Sequence, residues 1–363
     1  MVSISLCMIV KNEEDTIARC LESVKDIVDE INIIDTGSTD QTKEVLKRYT
    51  NRIFDFEWIN DFAKARNYAF QQATKDFILW LDADDVILPD DQKKMKELKE
   101  SLDLTTDSVT MDYNLSTDDH GNVITRLKRN RLVKRANQFQ WIGAVHEYLE
   151  VSGSIFHSNV AVTHHSVRHD TNRNLLIYEQ QLANHVEFTP RDLFYFANEL
   201  KDHQMYLRAI EFYERFLLTE QGWVEDNISA CGRLADCFFE IRDYKKELAS
   251  ILRSFQYDHP RPEFCCRLGF YFLNKKELHA AVFWYKLATE IKLSSQNLGL
   301  QSPQFSTWLP NLQLCVCYDQ LGQHKKAYEH NEKARQYRPN DPRILQNRKY
   351  LESVLIEGHE QNE

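Results

Sequence analysis

Three aspartates, Asp82, Asp84 and Asp85, follow directly on an apolar run in the segment FILWLDADDVILPDD, residues 77–91. Carboxylates at the end of a buried strand make either an acidic turn or an oxygen-donor site for a divalent cation and the phosphate it neutralises. Asp82 and Asp84 are separated by one residue, so in an extended segment they point to the same side. Two more polar clusters follow apolar runs upstream: KNEE (11–14) behind SISLCMIV, and DTGSTD (35–40) behind EINIID. DFAKARN (61–67) adds a cation, Arg66. Downstream, WIGAVHEYLE (141–150) carries His146 and Glu147, and SNVAVTHH (158–165) ends in His164 and His165. Together these residues offer hard oxygen ligands, imidazoles and a carboxylate able to take a proton within hydrogen-bond reach.

Such side chains need rigid elements behind them. SISLCMIV, EINIID, RIFDFEW (52–58) and FILWLD (77–82) are compact β-rich runs. Between them, NEEDTIARCLESVKD places Ile17, Cys20, Leu21 and Val24 at helical spacing, and QTKEVLKRY and DFAKARNYAFQQA also read as helices. Alternation of this kind calls for an α/β domain with a mostly parallel sheet and helices on both faces. Ligands bind at the carboxyl ends of the strands in such sheets, and all three polar clusters fall there. From about residue 103 longer β segments take over, DSVTMDYNL, NVITRLKRNRLVKR and HEYLEVSGSIFHSNVAVTHH, the first two joined by the turn-like STDDHG. ILPDD starts a further helix with Pro89 in its first turn.

After RHDTNRN the composition turns helical and a repeat emerges. Gly269 is followed by Ala281, Tyr285 and Ala288 at offsets of 12, 16 and 19, and Cys315 by Ala327, Asn331 and Ala334 at the same offsets. Ala197, with Ala209, Tyr213 and Phe216, fits; Ala235 fits more loosely, with Glu247 where a small residue is expected. Small residues at these positions let antiparallel helices pack closely, and stacked pairs bury a continuous all-α core. The expected domains are 1–175 (α/β), 176–350 (helical repeats) and a C-terminal tail, 351–363, whose last stretch EGHEQNE reads as loose.

CMIVKNEE, IIDTGSTDQT, W-x-x-DFAKARN and LWLDADD, in this order, resemble the motifs of family 2 glycosyltransferases, which have the Rossmann-like GT-A fold. The repeats resemble degenerate tetratricopeptide (TPR) units. The combination is similar to the branch that includes the sublancin-type S-glycosyltransferases of bacteriocin peptides and several bacterial glycan-chain enzymes. The resemblance implies a metal-dependent inverting transfer from a UDP-sugar. It sets Asn12 and Glu14 beside the nucleoside, the backbone around Val10 against the base, and Asp35 on the base or ribose. It gives Arg66 to the nucleotide, with Asn67 steadying the loop, Asp82 to the ribose and sugar, and Asp84 to Mn²⁺ or Mg²⁺. In this fold a glycine-containing loop precedes an acidic base and a later histidine supplies a metal ligand. Gly143 with Glu147, and His146 as understudy, fit the former, and His164 the latter; HE stands where many relatives have an acidic pair. Plainer readings stand beside these: Asn12 as a helix N-cap, Asp35 and Asp40 as turn residues, Arg66 on a helix surface, Trp58 in packing, His157 and His169 as structural or surface.

Composition narrows the rest. With 45 basic and 55 acidic residues the net charge is −10, which argues against nucleic acid, and the basic run RLKRNRLVKR reads as a solvent-facing strand pair in which Arg131 could face a diphosphate or an acidic acceptor. No stretch reaches the roughly 18 apolar residues of a membrane span, MVSISLCMIV lacks a basic start and cleavage site, and the eight cysteines show no ligand spacing. The expectation is a cytoplasmic enzyme acting on a peptide or protein side chain, thiol or hydroxyl, with a repeat domain that binds the acceptor or builds a homodimer. Its rivals are transfer to a lipid-linked or cell-surface glycan, a TPR adaptor with a dead transferase domain, and a metal hydrolase built on His157, His164, His165 and His169.

Overall fold

A computed structural model describes residues 1–117, 123–165, 172–291 and 302–360. His169, most of the STDDHG turn, much of the segment between the last repeats and the final three residues lie outside the described residues. The chain divides into two compact units, one comprising Met1–Phe188 and the other running on from Thr189.

The first unit contains strands β1 Ile4–Val10, β2 Glu30–Asp35, β3 Ile53–Asp55, β4 Phe77–Trp80, β5 Asp85–Val86, β6 Ser108–Thr117, β7 Val123–Lys134, β8 Gln140–Ile142, β9 Tyr148–Glu150 and β10 Ile155–His164. Its helices are α1 Ile17–Val24, α2 Thr42–Leu46, α3 Phe62–Gln71, α4 Pro89–Ser101 and α5 Arg173–Ala183. Eight strands form one sheet in the order β3-β2-β1-β4-β7-β6-β10-β5, while β8 and β9 pair separately. β3, β2, β1 and β4 run parallel, and β7 joins antiparallel to β4. The expected α/β architecture is therefore present.

β1 shows why both faces are covered. Ile4, Leu6, Met8 and Val10 enter one core with Ile17, Cys20, Leu21 and Val24 of α1, while Cys7 faces the other way with Ile34, Ala69 and Ala73. A strand buried on both faces reads as a continuous apolar run rather than an alternating one. The register pairs Val10 with Asp35 and Asp35 with Asp55, so the strands end together on one rim.

Among the described residues the second unit is all helical: α6 Pro190–Asp202, α7 Tyr206–Leu218, α8 Val224–Glu240, α9 Tyr244–Arg253, α10 Pro262–Asn274, α11 Leu278–Glu290, α12 Trp308–Gln320, α13 His324–Tyr337 and α14 Pro342–Glu360. The repeat offsets hold as packing positions: Ala209, Ala281, Ala327, Tyr213, Ala288, Asn331 and Ala334 are all at 0% exposure. Two boundaries differ from the sequence reading. The division falls after Phe188, so α5 belongs to the first unit, because Ile177 and Tyr178 bury there and the Tyr178 hydroxyl donates to the Val145 carbonyl. The tail does not separate at 351: α14 runs to Glu360 and Leu351 enters the core with Ala327 and Cys315.

All eight cysteines are buried and unpaired, and burial pushes the Cys7 thiol up to about 12. No helix among the described residues is long and apolar enough to cross a membrane.

A Cβ built on Gly269 would lie 2.7 Å from two ring carbons of Tyr285, itself 1% exposed and unable to swing away. Gly269→Ala should lower the unfolding free energy by about 1–3 kcal/mol through overpacking. Urea unfolding followed by helical circular dichroism reads this; an unchanged midpoint would mean that α10 and α11 can separate without cost.

Candidate active site

The rim is laced by turns that reach across strand ends. Asn12 takes a left-handed φ of 55°, its side-chain oxygen accepts the Thr39 N–H at 2.8 Å, and its own N–H donates to the Ser38 hydroxyl at 3.0 Å. It is not the N-cap of α1, which begins at Ile17 behind Thr16. The Glu14 carboxylate accepts the Gln41 N–H at 2.8 Å and faces solvent. Val10 is buried and its carbonyl accepts from both the N–H and the hydroxyl of Thr36. Asp35, at 1% exposure, accepts from the Ser38 hydroxyl at 2.6 Å and lies 3.0 Å from the Lys43 ammonium. The turn reading of Asp35 thus describes its contacts in this structure, and Asp40 likewise accepts the Thr42 N–H at 3.0 Å. Trp58 packs edge-on to Phe62 at 4.7 Å.

Beyond β4 the chain closes a tight turn: the Asp85 N–H donates to the Asp82 carbonyl, and the Asp82 N–H donates back to the Asp85 carboxylate, both at 3.1 Å. β10 then pairs antiparallel to β5 with His164 opposite Asp85, which brings together residues 79 positions apart. His164 Nδ1 lies 3.4 Å from Asp84, 3.5 Å from Asp85 and 3.1 Å from the Tyr113 hydroxyl. Hydrogen bonding to Asp84, then to Asp85, pushes the imidazole up to about 10 against the opposing effect of burial. Donor atoms of Asp84, Asp85 and His164 lie within 4.8 Å of one another. The Asp84 carboxylate and the His164 imidazole, with a second carboxylate beside them, suit Mn²⁺ well and Mg²⁺ acceptably, so the residues present fit a divalent ion. His157 instead meets the Thr110 hydroxyl at 2.8 Å, and His165 joins the site through its backbone N–H to the Asp84 carbonyl. Neither belongs to the cluster, so the four-histidine hydrolase loses its ligand set among the described residues.

Arg66 is the second organising group. It is 8% exposed, not a surface residue. Its Nε donates to Glu147 Oε1 at 2.5 Å and its Nη2 to Asp82 Oδ1 at 2.7 Å, while its guanidinium lies 4.8 Å from the Trp141 ring and 5.1 Å from Trp80. Burial would raise the Asp82 carboxyl, but the charges of Arg66 and Arg131 outweigh it and hold it near 2. Glu147 gets there because the preceding loop is bent twice into left-handed backbone, at Gly143 (φ 99°) and His146 (φ 50°). The Ala144 carbonyl accepts the Phe62 N–H at 2.9 Å, and the amide of Asn67 bonds Trp141 at both its N–H and its carbonyl. Asn67 thus ties α3 to the strand that leads into this loop.

Residues 5–152 match the family model described as Glycosyl transferase family 2. The first unit carries a family 2 glycosyltransferase domain. The SPbeta prophage-derived glycosyltransferase SunS of Bacillus subtilis is 29% identical over 235 residues, covering 59% of this chain and 54% of that protein. A TPR repeat-containing protein of Synechococcus elongatus is 43% identical over 103 residues, covering 28% of this chain and 25% of its own. The chain thus spans about half of the first relative and a quarter of the second. Among solved structures MamA is similar at 16% identity, over 46% of this chain and 86% of that one, with a TM-score of 0.37. That score is too low to identify a shared fold, and the repeat description rests on the packed helix pairs.

The sequence reading passed over Glu13 and misplaced Arg131. Glu13, not Glu14, turns inward: its carboxylate accepts from the Thr16 hydroxyl at 2.6 Å, and burial, with the Asp84 and Asp82 charges adding to it, raises its pKa. Arg131 does not face a diphosphate or an acceptor; it is 0% exposed and paired with Asp85 at 3.0 Å. Asp85 is 0% exposed too.

Removing Arg66 leaves Asp82 and Glu147 without their shared counter-charge, and Arg66→Met should cost about 3–5 kcal/mol of stability at neutral pH. The Asp82 pKa is depressed from 3.8 to about 2, so the stability it contributes is present above 3.8 and is lost as pH falls through about 2. Urea unfolding across a pH series should show that acid limb in the wild type and a flatter one in Arg66→Met. Identical limbs would mean that Arg66 does not set the Asp82 titration.

Proposed function

We propose that the chain transfers a sugar from a UDP-sugar to a thiol or hydroxyl of a peptide or protein side chain, with inversion at the anomeric carbon. The observation that carries this reading is the convergence at the end of β4 of a cation-ligand cluster, Asp84 and His164, with the Arg66 bridge between Asp82 and Glu147. Similarity to a protein named as a glycosyltransferase over more than half of this chain supports it.

A bound Mn²⁺ or Mg²⁺ ion would supply positive charge to the departing diphosphate. Asp84 and His164 would hold that ion. Asp82, fixed by Arg66 and kept ionised, is suited to accept hydrogen bonds from hydroxyls of the ribose or the sugar. The rim turns carrying Asn12, Glu14 and Asp35 would frame the nucleoside, with the backbone at Val10 forming part of that wall. Glu147 would take the acceptor's proton at Oε2 while Oε1 stays on Arg66, and His146 would orient the acceptor. A thiol titrates near 8.5 and asks less of that base than a hydroxyl does. The repeat unit would bind the acceptor or a second copy of the chain. Eight unpaired thiols agree with a reducing, cytoplasmic site of action.

The purified chain with Mn²⁺, a panel of UDP-sugars and peptides bearing Cys, Ser or Thr should yield a peptide mass increase of one sugar. Transfer confined to a glycan lipid would replace the peptide acceptor, and no consumption of any donor would refute the transferase. Asp84→Ala should abolish transfer and weaken metal-dependent UDP binding; wild-type turnover would remove Asp84 from the metal site. Glu147→Gln should keep UDP binding and slow transfer by roughly 10². Equal rates would place the base elsewhere.

A further inference from the structure

Asp85 belongs to the ligand cluster by distance, yet both of its carboxylate oxygens already have partners. Oδ1 accepts the Tyr113 hydroxyl at 2.9 Å, and Oδ2 lies 3.0 Å from Arg131 Nη1 while accepting the Asp82 N–H at 3.1 Å. Asp84 and His164, by contrast, are 23% and 22% exposed in their side chains and face each other.

Arg131 heads the largest fully buried side chains among the described residues. Its guanidinium lies 3.9 Å from the Trp80 ring centre and 4.3 Å from that of Tyr113, and Nη1 also donates to the Trp80 carbonyl at 3.3 Å. Nε and Nη2 have no hydrogen-bond partner among the described residues. The register explains how a strand residue from the basic run comes to lie inside. Val109 pairs with Leu132 and Thr110 with Asn130, so Arg131 is the extra residue of a β-bulge. Bulges re-aim a side chain and recur beside active sites. A cation this buried has Asp85 as its counter-charge, and each of the two would be a bare internal charge without the other.

We propose that Arg131 is a positioning residue of the cation site: it neutralises Asp85, which then anchors the Asp82–Asp85 turn and leaves Asp84 and His164 as the protein's ligands. This rests on the cation reading of the proposed function. A guanidinium that stacks on Trp80 fixes the strand end, and Asp85, held at both oxygens, fixes the turn that carries Asp82 and Asp84. Tyr113 extends the same clamp to His164 through one hydroxyl.

The test titrates the full chain with Mn²⁺ alone, read as loss of the free-ion electron paramagnetic resonance signal, alongside circular dichroism and turnover. The double variant Asp85→Asn/Arg131→Met removes both charges together, an exchange that buried ion pairs often tolerate. It should bind Mn²⁺ within about threefold of wild type while turnover falls by roughly tenfold or more from the loosened turn. Asp84→Asn should lose Mn²⁺ binding by about 30-fold or more. A folded double variant that loses Mn²⁺ as Asp84→Asn does would make Asp85 a ligand and overturn the proposal. Arg131→Lys keeps the charge but not the planar stack; it should bind Mn²⁺ normally with a lower kcat and an unchanged donor KM, and parallel loss of binding and rate would count equally against the proposal. Failure of the wild-type chain itself to bind Mn²⁺ would refute the underlying cation reading and the Arg131 role with it.

Discussion

Carboxylates from distant parts of the chain converge beyond β4, and the guanidinium of Arg66 lets two of them share one site. Asp82 leaves the sheet at its carboxyl rim, and Glu147 arrives from a loop 65 residues later. Brought together without a cation the two would repel, and one of them would have to turn to solvent. Arg66 comes from α3, whose N-cap Asp61 accepts the Lys64 N–H at 2.9 Å and whose Ala69 packs beneath the sheet. The parallel strands, the helix behind them and the bent loop are thus all positioned with respect to one charge. Its aromatic walls, Trp80 and Trp141, meet edge to face at 4.7 Å and shield that charge from water.

Backbone conformation at the site follows from what the side chains must reach. Gly143 and His146 hold left-handed φ values in the four residues before Glu147, and Asn12 does so just before Glu13. A left-handed residue costs little for glycine and asparagine and more for most others, so such positions persist where surrounding contacts over-determine them. Here those contacts are visible: Phe62 holds the Ala144 carbonyl, Tyr178 holds that of Val145, and Thr39 holds the Asn12 side chain.

The fold was legible in the sequence because its signals are local. Apolar runs of strand length, helical spacing in α1 and small residues at fixed repeat offsets each report a packing constraint that acts within a few residues. The cluster at Asp82 and Asp84 was legible for the same reason, since a strand end announces its rim. Glu13 and Glu14 could not be told apart, because which one turns inward depends on the left-handed turn at Asn12. Arg131 read as a surface residue because a bulge, invisible to alternation, shifts β7 by one position. The burial of Asp85 was not legible because its partner lies 46 residues away. The end of the first unit was misplaced because α5 looks like any amphipathic helix until Tyr178 is seen to bury against Val145.

The second unit handles its acids differently, and the contrast clarifies the first. Where three repeats place Ala209, Ala281 and Ala327 at 0% exposure, the remaining one places Glu247 at 7%. Burial raises that carboxyl, and the Arg267 charge offsets the effect only in part. Arg267 is itself engaged with Asp236 on the preceding helix pair and with Glu263 one turn away. Its ion pairs therefore run along and between helices and tie neighbours in the stack, as solenoid packing requires. In the first unit the guanidinium groups instead draw carboxylates from separate strands and loops to a single point. A repeat that satisfies its charges between neighbours gains order without creating a centre. A rim that gathers them around Arg66 and Arg131 creates one, and leaves Asp84 and His164 half-buried at its edge.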